Sequence, residues 1–349
     1  MLVLGETLPE PYDQTRTGER EVLREAGAEL VVVSTLDEFR ELAPEADGVL
    51  NWSFSLGADE LARLTHCRCI AHHAVGVDHI DTAEAARLGI VVANVPRYGT
   101  DDVADQAMML LLASARKLHA QERIAATDRW TLSPLVPIYR LRGRTLGILG
   151  LGNIGSAVAK RAAGFGLNVV AHDPYVDADR FTLVGAESVS FDELLRRSDI
   201  LTLHTPLTPE TRGMIDAGAL ARLRPGAILI NVARGPIVDE TAVADALMSG
   251  HLAAAAIDVF GVEPLPLDAP IRRAPRTILT PHTAFYSESS VEAMQVDAAR
   301  EVAAALRGDA PPHLVILPGI DWNRGCQRWN LRPSAEPVTQ GGIRIPPPA

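Results

Sequence analysis

Three residues stand out for what their types do in combination: Arg234 in "INVARGPIVDE", Glu263 in "AIDVFGVEPLP" and His282 in "LTPHTAFYSE". Each lies just past an apolar run that reads as a strand. An imidazole gives and takes protons near neutrality, its unperturbed pKa being about 6.5. A carboxylate beside it orients the ring and favours the imidazolium. A guanidinium holds a substrate carboxylate through two parallel hydrogen bonds and polarises the carbonyl next to it. As a set, the three suit protonation of the carbonyl oxygen of a 2-oxo acid. Singly, each has a plainer reading. Arg234 reads as a surface ion-pair partner, Glu263 as a solvated loop charge and His282 as a helix cap, because strand-end loops collect polar residues in any case.

The co-reactant is suggested by "TLGILGLGNIGSAVAKRAAGFGLNVVAHD". Gly150, Gly152 and Gly155 form G-x-G-x-x-G between a predicted strand and a predicted helix. One glycine makes the tight turn, one lets a pyrophosphate approach the backbone, and one lets the helix pack on the strand. The helix N-terminus offers free N–H groups to the phosphates. A glycine-rich turn without a ligand is the plainer alternative. Asp173 closes the next strand, 173 − 155 = 18 residues after Gly155. Its carboxylate suits the adenosine ribose hydroxyls and repels a 2′-phosphate, and no arginine follows at once in "HDPYVDADR". The expected cofactor is therefore NAD. Hydride transfer between nicotinamide and a 2-oxo acid is the expected reaction, with Asp258 facing the carboxamide.

These side chains need a scaffold that delivers them to one edge. Residues 1–97 alternate strands (29–33, 47–51, 67–72, 90–95) with helices (18–27, 81–89), each helix closed by a glycine. A long helix over 99–125, capped by Thr100 or Asp101, and a linker over 133–143 lead to a second series. Its strands are 145–150, 168–173, 199–204, 227–232, 253–260 and 277–282, and a last amphipathic helix spans 287–308. Strands alternating with helices predict an α/β fold of two Rossmann-like parallel-sheet domains. Such sheets bind ligands at the carboxyl ends of their strands, where all the candidate residues fall. After Pro318 no periodicity persists, and the segment reads as loosely ordered or laid over the surface.

Composition narrows the partners. The 349 residues are 47% apolar and 22% charged, with a formal charge of 33 − 44 = −11. That balance argues against nucleic acid or an anionic membrane as a partner. No signal-peptide pattern opens the chain and no unbroken run of about 18 apolar residues occurs, so a soluble, cytoplasmic protein is expected. "THCRCIAHH" packs His66, Cys67, Cys69, His72 and His73 into one stretch. In a strand Cys67, Cys69 and His73 share one face and His72 takes the other, and no second Cys/His pair completes a tetrahedral site. No metal is expected. The two cysteines read as small core residues.

From "VGVDHID" through "GLGNIG", "HTPLTPETRGMI", "NVARGPIVDE" and "DVFGVEPLP" to "TPHTA", residues 45–317 resemble the D-isomer-specific 2-hydroxyacid dehydrogenase family. "VPRYGTDDVADQAM" and "PHTAFYSESS" are similar to its C-terminal-binding-protein-like and phosphoglycerate-dehydrogenase-like members. The resemblance implies Arg234, Glu263 and His282 as the catalytic set. It implies further cofactor contacts at Asn153, Ile154, Thr205, Val232, Ala233 and Ala284, besides Asp173, Asp258, Arg234 and His282. The backbone of Val75 and Gly76 in "AVGV" would hold the substrate carboxylate, together with Arg234 and His282. His72 and His73 would line the substrate cleft, His72 standing where the family often has arginine. Ala74 replaces a family glycine, and Phe285 a tryptophan of the corepressor-type members. The implied architecture is a substrate domain of residues 1–98 and 287–317 interrupted by an NAD domain of residues 99–286, with an extension at 318–349. Homodimerisation through the NAD domain is implied as well. The implied activity is NAD-dependent interconversion of a D-2-hydroxy acid and its 2-oxo acid. The alternative is an NAD(H)-sensing, corepressor-like protein with little turnover.

Overall fold

The computed structural model describes residues 1–8, 16–128, 130–315 and 322–332. Two compact units emerge, one from Met1–Gly99 with the chain from Ser287 onward, the other from Thr100–Tyr286.

In the first unit the apolar runs form β1 (Leu2–Glu6), β2 (Glu29–Val33), β3 (Gly48–Asn51), β4 (Cys69–His72) and β5 (Val91–Ala93), all parallel in the order β2-β1-β3-β4-β5. β1 is not among the strands expected from sequence, because its run is short and carries Gly5 and Glu6. The structure accommodates the charge. The Glu6 carboxylate accepts the backbone N–H groups of Trp52, Ser53 and Phe54 at 2.9, 2.8 and 2.9 Å, so a buried carboxylate is satisfied at the strand's end. The helix Glu288–Leu306 packs on β3 and β4. It comes so close that a Cβ at Gly48 would lie 2.5 Å from Val302 Cγ1.

Residues beyond that helix cover the β5 edge. Val315 N donates to Val92 O (2.9 Å) and Asn94 N to His313 O (3.2 Å), adding an antiparallel segment to a strand edge that would otherwise be open. Of the extension beginning at 318, residues 322–332 are laid on this unit. Trp322 is buried, Asn323–Arg328 is helical, and Trp329 Nε1 donates to Gly89 O at 2.9 Å under the Arg328 guanidinium, 4.5 Å from the ring centroid. Tryptophans with bonded N–H groups hold a segment that lacks sequence periodicity. The rest of the extension, 318–321 and 333–349, lies outside the described residues.

The second unit holds β6 (Thr145–Leu149), β7 (Asn168–His172), β8 (Glu187–Ser188), β9 (Ile200–Leu203), β10 (Ala227–Asn231), β11 (Leu252–Ile257) and β12 (Thr277–Leu279), parallel throughout in the order β12-β11-β10-β9-β6-β7-β8. Strand residues alternate between two apolar layers. Leu146 and Ile148 of β6 join Val158 and Ala159 on one face, while Leu149 joins Leu194 and Leu220 on the other. The helix expected over 99–125 is broken. Thr100–Ala115 is buried along much of its length, Lys117 turns left-handed (φ 54°), and Leu118–Ala125 continues with no buried residue. The break falls where core contacts end. β11 and β12 are likewise shorter than expected, leaving Asp258 and His282 in loops rather than strands.

Candidate active site

Because β6 is the first strand of its unit and β7 and β9 flank it, the order reverses there, which is where open parallel sheets receive ligands. Gly150 adopts φ +90°, and a Cβ there would sit 2.7 Å from the His204 carbonyl carbon. At Gly155 a Cβ would lie 2.1 Å from Gly150 O, so only glycine lets the helix Asn153–Gly164 start against the strand. Gly152 differs. A Cβ there would meet nothing within 4 Å, so the space above the turn is open. Asp173, directly after β7, accepts Leu151 N at 2.7 Å and Tyr175 N at 3.0 Å. An open backbone cradle with a carboxylate at the next strand end fits a dinucleotide. Thr205 follows β9. Beside it the half-buried His204 imidazole has Nε2 2.9 Å from Thr202 Oγ1, and desolvation lowers its pKa to about 3, so it stays neutral.

Across the switch point, β10, β11 and β12 deliver the other residues. At the end of β10, the buried Asn231 side chain accepts Ala233 N (3.0 Å) and donates to Arg234 O (3.0 Å), fixing Val232–Arg234. Gly235 lies against the next loop, where a Cβ would fall 1.9 Å from the Phe260 carbonyl carbon. This contact sets Arg234 near the loop carrying Glu263. Glu263 Oε1 accepts Phe260 N at 2.8 Å, and Oε2 lies 2.7 Å from His282 Nδ1. Burial pushes the Glu263 carboxyl up, but the His282 hydrogen bond and the charges of His282 and Arg234 outweigh it and hold it below the usual carboxylate value. His282 keeps 41% of its side chain exposed, and its second nitrogen, Nε2, has no partner among the described residues.

His282 sits at φ 54°, a left-handed conformation that costs a non-glycine residue on the order of 1 kcal/mol or more. Asp258 holds it there. His282 N donates to Asp258 O at 2.8 Å, and the Asp258 carboxylate accepts Thr283 N (3.1 Å), Ala284 N (2.9 Å) and the Thr280 hydroxyl. Asp258 is fully buried. Its carboxylate anchors the histidine loop. Phe285 meets the His282 ring edge-on, with centroids 6.4 Å apart.

In the first unit the "AVGV" turn follows β4. Asn94 Nδ2 donates to Val75 O at 2.6 Å and Val95 N to Ala74 O at 3.2 Å, so the residues just past β5 hold the turn in place. His72 and His73 do not line an open surface. His72 is 2% exposed with Nδ1 2.8 Å from Asn51 Oδ1, and His73 is enclosed with Nε2 2.9 Å from Glu19 Oε1. Tight strand-end packing turns both inward. Cys67 and Cys69 are buried thiols whose pKa values burial raises, that of Cys67 to about 12. Among the described residues no three His, Cys, Asp or Glu side chains are grouped to hold a metal, and no helix is long and apolar enough to cross a membrane.

Sequence reasoning missed Asn231, Gly235 and Asn94. Asn231 left a faint signal, a polar residue ending the apolar run "AILIN". Gly235 and Asn94 left none, since each acts on a segment distant in sequence.

Residues 108–284 match the model of the D-isomer specific 2-hydroxyacid dehydrogenase, NAD binding domain. The chain is 38% identical over 294 residues to D-3-phosphoglycerate dehydrogenase of Mycobacterium tuberculosis, covering 84% of this chain and 55% of that one. It is 41% identical over 251 residues to glyoxylate reductase of Korarchaeum cryptofilum, covering 71% and 76%. A D-lactate dehydrogenase from Aquifex aeolicus, solved with NAD and lactic acid, superposes with a TM-score of 0.79 at 26% identity over 88% of this chain and 96% of that one. The chain belongs to the D-isomer-specific 2-hydroxyacid dehydrogenase family, and residues 108–284 are its NAD-binding domain. It spans about half the length of the mycobacterial phosphoglycerate dehydrogenase.

Proposed function

We propose that this chain interconverts a D-2-hydroxy acid and its 2-oxo acid with NAD as redox partner. The observation that carries the reading is the His282–Glu263 pair, 2.7 Å apart with Nε2 unpartnered, at the strand ends of an NAD-binding domain. Held by that domain, NAD would supply the hydride chemistry, as donor to the carbonyl carbon in its reduced form and as acceptor in its oxidised form. His282 Nε2 donates the proton that the carbonyl oxygen needs as the hydride arrives, and recovers it in reverse. Glu263 orients the ring through Nδ1. Arg234 binds the substrate carboxylate and polarises the carbonyl. Gly150, Gly152, Asn153, Ile154, Gly155 and Asp173 hold the adenosine and pyrophosphate portions. Thr205, Val232, Ala233 and Ala284 complete the cofactor's surroundings.

A dinucleotide sensor has no need of a paired proton donor, so the regulatory reading is not favoured. Reduction of a 2-oxo acid by NADH should give the D-2-hydroxy acid alone on chiral chromatography. An L or racemic product would refute the assignment.

A further inference from the structure

We propose that Arg180 is an unassigned positioning residue of the dinucleotide site, one that locks the glycine turn in the shape that receives the pyrophosphate. This rests on the NAD-dependent reading above. In sequence Arg180 lies seven residues past Asp173 (180 − 173), on the helix Ala178–Val184, with nothing to connect it to Gly150–Gly155. In the fold it returns to that turn. Its Nε donates to Leu151 O at 3.0 Å and to Ser156 Oγ at 3.1 Å, and one terminal nitrogen donates to Asn153 Oδ1 at 2.9 Å. Ser156 Oγ in turn donates to Leu151 O at 3.0 Å.

Leu151 is thus held from both ends, by Asp173 at its N–H (2.7 Å) and by Arg180 at its C=O. The turn is open to ligand at Gly152, where no side chain fills the space. Backbone N–H groups recognise a phosphate only when they are already aimed at it, since ordering a loose loop on binding costs affinity. A guanidinium bonded to three points of the turn supplies that order. Its positive charge also favours the doubly anionic pyrophosphate nearby. Two of its nitrogens are committed to the protein, so Arg180 stiffens the turn instead of reaching out to a 2′-phosphate. Its presence near Asp173 therefore does not make the site one for NADP.

The test compares wild type with Arg180→Met and Arg180→Lys by direct binding, using NADH fluorescence titration and competition by ADP and by adenosine. In Arg180→Met the Kd for NADH and ADP should rise about tenfold or more, while adenosine, which lacks the phosphates, competes as before. Arg180→Lys, which restores the charge but not the fork, should recover part of the loss. Unchanged NADH and ADP affinities would overturn the proposal, and so would equal weakening of adenosine, which would mean a general loss of structure. If wild type bound no NADH at all, the NAD-dependent reading would fall and this inference with it. Normal wild-type binding with an indifferent Arg180→Met sinks this inference alone.

Discussion

At the scale of single residues the account turns on Glu263. It holds His282 through Nδ1, and its carboxyl is kept below the usual value because the His282 hydrogen bond and nearby positive charges outweigh burial. Glu263→Gln keeps the shape and removes the charge. We expect kcat to fall about 100-fold or more with NADH affinity unchanged, as steady-state kinetics and fluorescence titration would show. The sign of the stability effect follows from the depressed pKa. The carboxylate's contribution is fully present above the ordinary value of 4.5 and is lost as pH falls through the lower, folded value. The Tm gap between wild type and Glu263→Gln should therefore shrink on acidification below that range, and a gap that widened would contradict the pairing. The Glu263–His282 pair was legible in the sequence because an imidazole and a carboxylate at neighbouring strand ends suit one another. The internal role of Asp258 was not. Nothing in "AIDVF" reveals that three donors from residues 280–284 converge on its carboxylate.

At the scale of elements, two glycines separate folding from binding. Gly152 has open space around it and an extended backbone that alanine also adopts, whereas a Cβ at Gly235 would collide with the Phe260 backbone. Gly152→Ala should melt within about 2 °C of wild type and yet bind NADH about tenfold more weakly or worse. Gly235→Ala should lose about 1–3 kcal/mol of stability, lowering Tm and, by shifting Arg234, kcat as well. Calorimetry and NADH titration of the two variants check both outcomes, and a destabilised Gly152→Ala with normal binding would refute the cradle. Most strands were readable because apolar runs bounded by turn residues have no other use in a parallel sheet. β1 was not, since its glycine and glutamate make sense only beside the loop at residues 52–54. The break at Lys117 was equally hidden. Local pattern continues through it, and what ends there is packing.

At the scale of the whole molecule, the NAD-binding unit carries apolar surface without a partner. Trp130, Leu132, Val136 and Tyr139 are 84%, 75%, 71% and 58% exposed, and a groove on the same unit is lined by Met108, Met109, Leu112 and Phe165. Exposed apolar side chains gathered on one unit suit an association surface, and we propose a second copy of the chain as its occupant. Sedimentation equilibrium should give twice 37.4 kDa, and a monomer at micromolar concentration would contradict it. Charge and composition say nothing of this surface, which depends on which side chains remain uncovered after folding. The claim that binds the scales together is catalytic, and NADH oxidation at 340 nm tests it most directly. Purified protein would be given glyoxylate, hydroxypyruvate, pyruvate, branched-chain and aromatic 2-oxo acids and 3-phosphohydroxypyruvate, with His282→Ala alongside. The account predicts turnover of at least one of these acids by wild type and its loss in His282→Ala with NADH binding intact. NADH binding without turnover of any of them, or equal turnover by His282→Ala, would contradict it.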